Sequence, residues 1–339
     1  MATSIQDQPG IIAGTDYVIC RRDDGTLWGF GSNAKGQLGL GSVASVAEWT
    51  QLPLTGVAKI FNGGNNTNVQ YCVFAIKNNG DLYSTGYNTT ARSFLGYASA
   101  NTTTFTKVNL SNVYGVTCTE YGTAFVLNNG DVYYTGHDKY IGGFTTTNYK
   151  TTITRANTTL VNIIDACPSF NSGYVCYLKN TGEWYHTYKN TNVNNSTAVS
   201  GNLFLGLKTD IVKLCSSKDA GHVYCLDENG DWYGWGENSN GQLGNGNTTD
   251  QTNWVKIPIT DVKQVAMGAG FTLILKNDGT VWASGLNTNK QLADETTTKR
   301  TSFVQSSCRF GPAISIQAAP TASYLRLDDN IREYVLGGD

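Results

Sequence analysis

The chain has 339 residues, of which 15% are charged, and a formal net charge of −2. Hydrophobic residues make up 40%, enough to bury a sizeable core, which excludes a disordered chain. The near-neutral balance argues against an extended phosphate-binding face, so no nucleic-acid partner is expected, and the lack of any long apolar run excludes membrane insertion through a helix.

The first residues, Met1-Ala-Thr-Ser-Ile-Gln-Asp-Gln8, have neither a basic start nor an apolar stretch, so no secretory signal is expected here. A motif then begins that returns through the whole chain. Its copies are Asp24-Gly-Thr-Leu-Trp-Gly-Phe-Gly31, Asn79-Gly-Asp-Leu-Tyr-Ser-Thr-Gly86 and Asn129-Gly-Asp-Val-Tyr-Tyr-Thr-Gly136. Thr181-Gly-Glu-Trp-Tyr-His-Thr-Tyr188, Asn229-Gly-Asp-Trp-Tyr-Gly-Trp-Gly236 and Asp278-Gly-Thr-Val-Trp-Ala-Ser-Gly285 follow, and a worn copy, Asn330-Ile-Arg-Glu-Tyr-Val-Leu-Gly337, comes last. The anchors stand at 25, 80, 130, 182, 230, 279 and 331, so the period is about fifty residues.

Each copy reads as a hairpin. Asn-Gly or Asp-Gly at the anchor predicts a two-residue type I′ turn, which needs positive φ at both central positions. The strand before it is apolar, as in Cys72-Val-Phe-Ala-Ile76 and Phe271-Thr-Leu-Ile-Leu275. The strand after it carries an aromatic three residues past the anchor in every copy: Trp28, Tyr83, Tyr133, Tyr185, Tyr233, Trp282 and Tyr334. These seven are expected in the core. A loop and a further strand follow, such as Val255-Lys-Ile-Pro-Ile259, and Tyr188 alone replaces the closing glycine.

One small antiparallel sheet cannot bury both its faces, whereas seven packed radially can. The fold class is therefore all-β: a seven-bladed β-propeller of about 50-residue repeats, forming a single domain over 1–339. Thr3-Ser-Ile-Gln6 resembles Thr301-Ser-Phe-Val-Gln305 of the sixth copy. The N-terminal strand is thus expected to join the last blade and close the ring.

Few residues suggest chemistry. Of eight cysteines, Cys20 and Cys225 lie five residues before an anchor, and Cys167 and Cys215 fifteen before one, the recurrence of small reduced core residues. His137, His186 and His222 sit at different repeat offsets, so no metal site is expected. Asp81, Asp131, Glu183 and Asp231 recur just after the anchor, which points to turn chemistry rather than catalysis. Phe61-Asn-Gly-Gly-Asn-Asn-Thr-Asn68 lacks the Gly-Lys-Ser/Thr ending of a phosphate loop and reads as a connection between blades. Off-pattern aromatics in Asn- and Thr-rich loops, Tyr87, Tyr97, Tyr140, Phe144, Tyr149 and Tyr188, have the composition of a contact surface. No catalytic, cofactor-binding or metal residue is assigned, and no cofactor is expected.

The loops after the hairpins carry a resemblance. Gly31-Ser-Asn-Ala-Lys-Gly-Gln-Leu-Gly39 and Gly236-Glu-Asn-Ser-Asn-Gly-Gln-Leu-Gly244 resemble the Gly-Gln-Leu-Gly loop of the regulator of chromosome condensation family, with weaker echoes at Ser93-Phe-Leu-Gly96, Leu203-Phe-Leu-Gly206 and Lys290-Gln-Leu-Ala293. The resemblance implies a seven-bladed propeller. The family's histidine in the first hairpin strand is matched by His222; Tyr17, Cys72, Gly122, Tyr174, Phe271 and Ser323 stand at the equivalent positions. Neither a protruding wedge like that of the family's exchange factor nor the photoreceptor's Gly-Trp-Arg-His-Thr motif is present.

The expected function is a non-enzymatic structural or binding propeller. The low charge and the Asn-, Thr-, Gly- and Tyr-rich composition suggest a bacteriophage virion surface component, contacting other virion proteins or a host surface. The alternative is a cytoplasmic protein-interaction propeller such as a small-GTPase regulator, and a second alternative is an enzyme with its site in the propeller mouth.

Overall fold

In a computed structural model of the chain, which describes residues 10–63, 71–168, 174–187, 196–200, 203–206, 208–217, 220–307, 311–319, 321–327 and 333–337, the strands form seven sheets. These blades span 11–51, 57–107, 113–155, 163–206, 211–256, 262–305 and 315–337. The first, second, third, fifth and sixth have four strands in chain order. The innermost strands of successive blades touch around the ring, blade 7 meeting blade 1 through Ser315–Ala318 and Ile11–Ala13.

This innermost strand, for example Val57–Asn62 or Ile211–Ser216, is the element the repeat motif did not reveal. The outer strand of blade 5 is Gln251–Lys256, earlier in the chain than the Val255–Ile259 segment expected, because Ile257 and Ile259 turn inward and are buried. The glycine-rich stretch from Phe61 lies within blade 2, between its innermost strand and Cys72–Lys77, rather than between blades. Its residues 64–70 lie outside those described.

The hairpin turn also differs from expectation. Gly25 N–H donates to Arg22 O (3.0 Å) and Arg22 N–H to Thr26 O (2.9 Å), which makes a type I turn followed by a left-handed glycine, a three-residue loop. The same pair of bonds recurs at the other five hairpins described. Only the glycine has positive φ, +79° at Gly25, and the residue before it does not. Asn or Asp is favoured there for another reason: its side-chain oxygen accepts the N–H two residues on, as Asp24 does from Thr26 (2.8 Å) and Asn79 from Asp81 (3.1 Å).

In five of the six copies whose burial is described, the aromatic three residues past the anchor is not core. Trp28, Tyr83, Tyr133, Tyr233 and Trp282 are half-buried, and only Tyr185 is buried. Alternation along the strand gives the space between blades to the preceding residue, so Leu27, Leu82, Val132, Trp184, Trp232 and Val281 are buried instead. The aromatics lie at the sheet rim under cations: Arg22 on Trp28 (4.3 Å), Lys179 on Tyr185 (4.9 Å), Lys208 on Tyr233 (4.2 Å) and Lys276 on Trp282 (4.8 Å).

Blade 4 departs most. Its third strand, Trp184–His186, has three residues, and it pairs with Leu203–Gly206 rather than with the nearer Ser196–Ser200, which becomes a fifth strand at the edge. Elsewhere a closing glycine ends this strand at φ near +100°. At Gly236 (φ +109°) a Cβ would lie 2.5 Å from the Gly221 carbonyl oxygen, so the blade-4 strand, whose sequence has Tyr188 there, ends early.

Blade 7 shows three strands, Ser315–Ala318, Ser323–Arg326 and Glu333–Gly337. The N-terminal segment expected to complete it, Thr3–Gln6, lies outside the described residues. Seven cysteines are buried and free, in agreement with their repeat positions, and Cys308 lies outside the described residues.

Candidate functional site

The antiparallel order of each blade gives the ring two unlike ends. One carries the hairpin turns and holds most of the charge in pairs: Lys107–Asp81 (2.8 Å), Arg155–Asp131 (2.7 Å), Lys256–Asp231 (2.5 Å) and Lys179–Glu183 (3.7 Å). These are the carboxylates that recur after the anchor. The Lys107 ammonium holds the Asp81 carboxyl below its ordinary range, so it stays an anion and is no general acid.

The other end carries the loops after the third strands. In four of them a buried asparagine two residues past the closing glycine acts as an internal latch. Asn238 Oδ1 accepts Leu243 N–H (3.0 Å), while its Nδ2 donates to Asn247 O (3.0 Å) and Thr249 O (3.2 Å). Asn33, Asn88 and Asn287 do the same for Leu38, Leu95 and Leu292. The motif glutamine is also internal: Gln37, Gln242 and Gln291 each accept the N–H two residues back. The loop then ties to the next blade, as Thr85 Oγ1 donates to Gly36 O (2.8 Å), Thr135 Oγ1 to Ser93 O (2.8 Å) and Ser284 Oγ to Gly241 O (2.6 Å). The family loop is therefore a structural device.

His222 belongs to the same system. It faces Gly236 across the hairpin, and Tyr17, Cys72, Gly122, Phe271 and Ser323 face their own closing glycines in the same register. The ring is fully buried between Ala220 O and Thr272 Oγ1, and burial pushes its pKa down to about 4. His186 packs on Trp184 (5.4 Å), which also meets Trp235 and Trp254. No group of three metal-ligating side chains converges among the described residues.

Blade 3 breaks the loop pattern. His137-Asp138-Lys139-Tyr140 follows the closing Gly136, with Asp138 in the place of the latch. A carboxylate cannot donate, so it gathers donors: Tyr134 Oη (2.6 Å), Thr146 Oγ1 (2.7 Å) and Lys150 Nζ (3.7 Å). Around it the rings converge. His137 stacks on Tyr140 (4.2 Å, 30°) and meets the edge of Tyr149 (4.8 Å, 77°). Tyr121 lies 4.4 Å from Tyr140 and 6.1 Å from Tyr174, which stands 5.1 Å from Tyr140. Tyr149 is 41% exposed, and Tyr121, Tyr140 and Tyr174 are half-buried. Arg92 of the blade-2 loop lies over the Tyr149 ring (5.5 Å).

Two of its rings, His137 and Tyr121, carry no charge at pH 7. Burial lowers the His137 pKa, and Lys139 and Arg92 lower it further against the opposing pull of Asp138, so the imidazole is neutral at pH 7. Burial and the neighbouring Glu120 carboxylate push Tyr121 up to about 12. Rigid rings with a neutral imidazole and half-exposed faces offer apolar contact area and phenol hydrogen bonds, the chemistry of a docking surface.

Of the aromatics singled out from the sequence, Tyr140 and Tyr149 belong to this cluster, and Tyr87 lies beside it on Phe94 (5.8 Å). Tyr97 is spent inside its own loop on Ser84 and Thr102, Phe144 packs on Tyr134, and Tyr188 lies outside the described residues. Sequence reasoning missed Tyr121, Tyr174 and Arg92. Tyr121 precedes a second strand and Tyr174 stands at a histidine-equivalent position, which is the only signal either carried.

Residues 24–70 and 229–275 match the model of the regulator of chromosome condensation (RCC1) repeat, and a second model of that repeat matches 262–291. No curated protein matches the chain. Among solved structures, human WBSCR16 is 17% identical, with a TM-score of 0.73, over 95% of this chain and 87% of that one. Yeast RCC1 (Prp20), in a complex with Kap60, is 16% identical over 97% of this chain and 78% of its own, with a TM-score of 0.73. Prp20p of Saccharomyces cerevisiae, described with its binding to Gsp1p and histones, is 17% identical over 97% and 81%, again at 0.73. At these identities the likeness shows the fold.

Proposed function

Because the chain is a β-propeller carrying RCC1 repeats, we propose that it is a non-enzymatic protein-interaction propeller, one domain over 1–339, whose contact surface is the aromatic cluster of blades 2 to 4. The observation that carries this reading is the departure of blade 3. The repeat places an asparagine latch at this end, and here five rings occupy its surroundings, four tyrosines partly exposed around a buried His137. A protein partner also agrees with the binding of Prp20 to Kap60, Gsp1p and histones. Those relatives favour the alternative, a protein-interaction propeller such as a GTPase regulator, over the virion component suggested by composition. The virion reading rests on the low charge, the Asn-, Thr-, Gly- and Tyr-rich composition and the first residues, which do not resemble a secretory signal.

The test is affinity capture from lysate of the source with the intact chain and with the double variant Tyr140→Ser/Tyr149→Ser. A partner held by the first and lost from the second is the expected result. The same proteins captured by both would move the contact surface elsewhere, and recovery of capsid or tail proteins would restore the virion reading.

A further inference from the structure

Arg92 is a ring-stacked cation on the loop end. On the hairpin end Lys179 and Lys208 lie over tyrosines and also pair with Glu183 and Asp210. Arg92 makes no ion pair among the described residues. Its Nη1 donates to the Glu120 carbonyl (2.6 Å), and its guanidinium lies over Tyr149 and Phe94. The nearby anions are occupied: Asp138 is buried under Tyr134 and Thr146, and Glu120 accepts the Tyr121 hydroxyl. With Nη1 engaged, the Nε–Nη2 edge remains, which is the edge that binds a carboxylate through two parallel hydrogen bonds. The backbone that carries it is held as well, since the Arg92 main-chain N–H donates to Thr89 O and Oγ1. A positioned guanidinium on an aromatic ring, next to three half-exposed tyrosines, is a two-part recognition surface.

The geometry points to an acidic peptide segment of a protein partner as the occupant. One Asp or Glu side chain pairs with the free edge of Arg92, and the adjoining apolar residue lies on Tyr140 and Tyr174. Charge complementarity selects this occupant: Asp138 is paired with Lys150, Arg92 and Lys139 outnumber the Glu120 carboxylate beside them, and the His137 ring is neutral. The inference rests on the docking reading above and adds the chemistry of the partner.

The probe is a random dodecapeptide display library panned on the intact chain. The most enriched peptide is then synthesised in its acidic form and with its Asp or Glu changed to the amide, and both are titrated by fluorescence anisotropy. The acidic form should bind about tenfold more tightly than the amide, in keeping with one charge-assisted pair. Arg92→Gln should erase that difference, and Tyr149→Ser, an exposed change that leaves the fold intact, should weaken both forms. If the amide binds equally well while Tyr149→Ser still weakens it, the acidic inference fails and the docking surface stands. Enriched peptides indifferent to both Arg92→Gln and Tyr149→Ser overturn the docking surface itself.

Discussion

Blades 5 and 3 place different side chains at the same turn of the chain. In blade 5 the amide of Asn238 both accepts and donates, so it binds the loop's own backbone and leaves a polar surface with nothing to offer a partner. In blade 3 the Asp138 carboxylate can only accept, so it recruits side chains with donors, Tyr134, Thr146 and Lys150, in place of the loop carbonyls that an asparagine would bind. His137, itself buried, then stacks on the half-exposed Tyr140 and meets the edge of Tyr149. A difference between a carboxylate and an amide separates a loop latched on its own backbone from one that gathers rings around it.

The predictions break this comparison at successively smaller scales. The largest effect concerns ring closure. Removing residues 1–8 should lower Tm by roughly 10 °C in calorimetry if the N-terminal segment adds a strand to blade 7, which has three among the described residues where its neighbours have four; an unchanged Tm would exclude the N-terminal strand from the ring. Gly236→Ala sets a Cβ against the Gly221 carbonyl at φ +109° and should cost about 4 kcal/mol in urea unfolding. Blade 4, with Tyr188 in that place, should accept Tyr188→Ala far more easily.

His222 tests the packing of blade 5 by pH. Its folded pKa of about 4 lies below the unfolded value near 6.5, so the unfolded chain binds the proton first. Stability from this group is complete above about pH 6.5 and is lost as pH falls toward 4, by roughly 3 kcal/mol. Urea midpoints across that window should fall in the wild type and fall less in His222→Phe.

Asn238→Ala strips the latch and leaves Leu243 N–H and the loop carbonyls without their partner, which should cost about 2 kcal/mol. Smallest of all, Tyr149→Ser, at a half-exposed ring, should change stability by under about 0.5 kcal/mol while weakening any partner. A large loss of stability in Tyr149→Ser would make the cluster a core feature.

Much of the fold was legible because the anchor glycine and its aromatic recur at a fixed offset. The hairpin turn was misread because Asn-Gly suits both a two-residue I′ turn and the glycine end of a three-residue loop, and only strand register separates them. Trp28 and its equivalents were placed in the core because recurrence does not say which face of a strand is covered. Leu27 beside it takes the space between blades. At the site, Tyr140 and Tyr149 stood out by breaking the pattern. Tyr121, Tyr174 and Arg92 did not, since the ring itself brings a blade-2 loop, the start of a blade-3 strand and the edge of blade 4 to one place.

The most direct test of the central claim is site-specific photo-cross-linking. With benzoylphenylalanine at position 149, on the aromatic end, or at position 256, on the hairpin end, the chain is irradiated in lysate of its source. The account predicts a discrete cross-linked partner from 149, sharply reduced by Arg92→Gln, and none from 256. A partner trapped from 256 and absent from 149 would place the contact surface on the opposite end of the ring and contradict it.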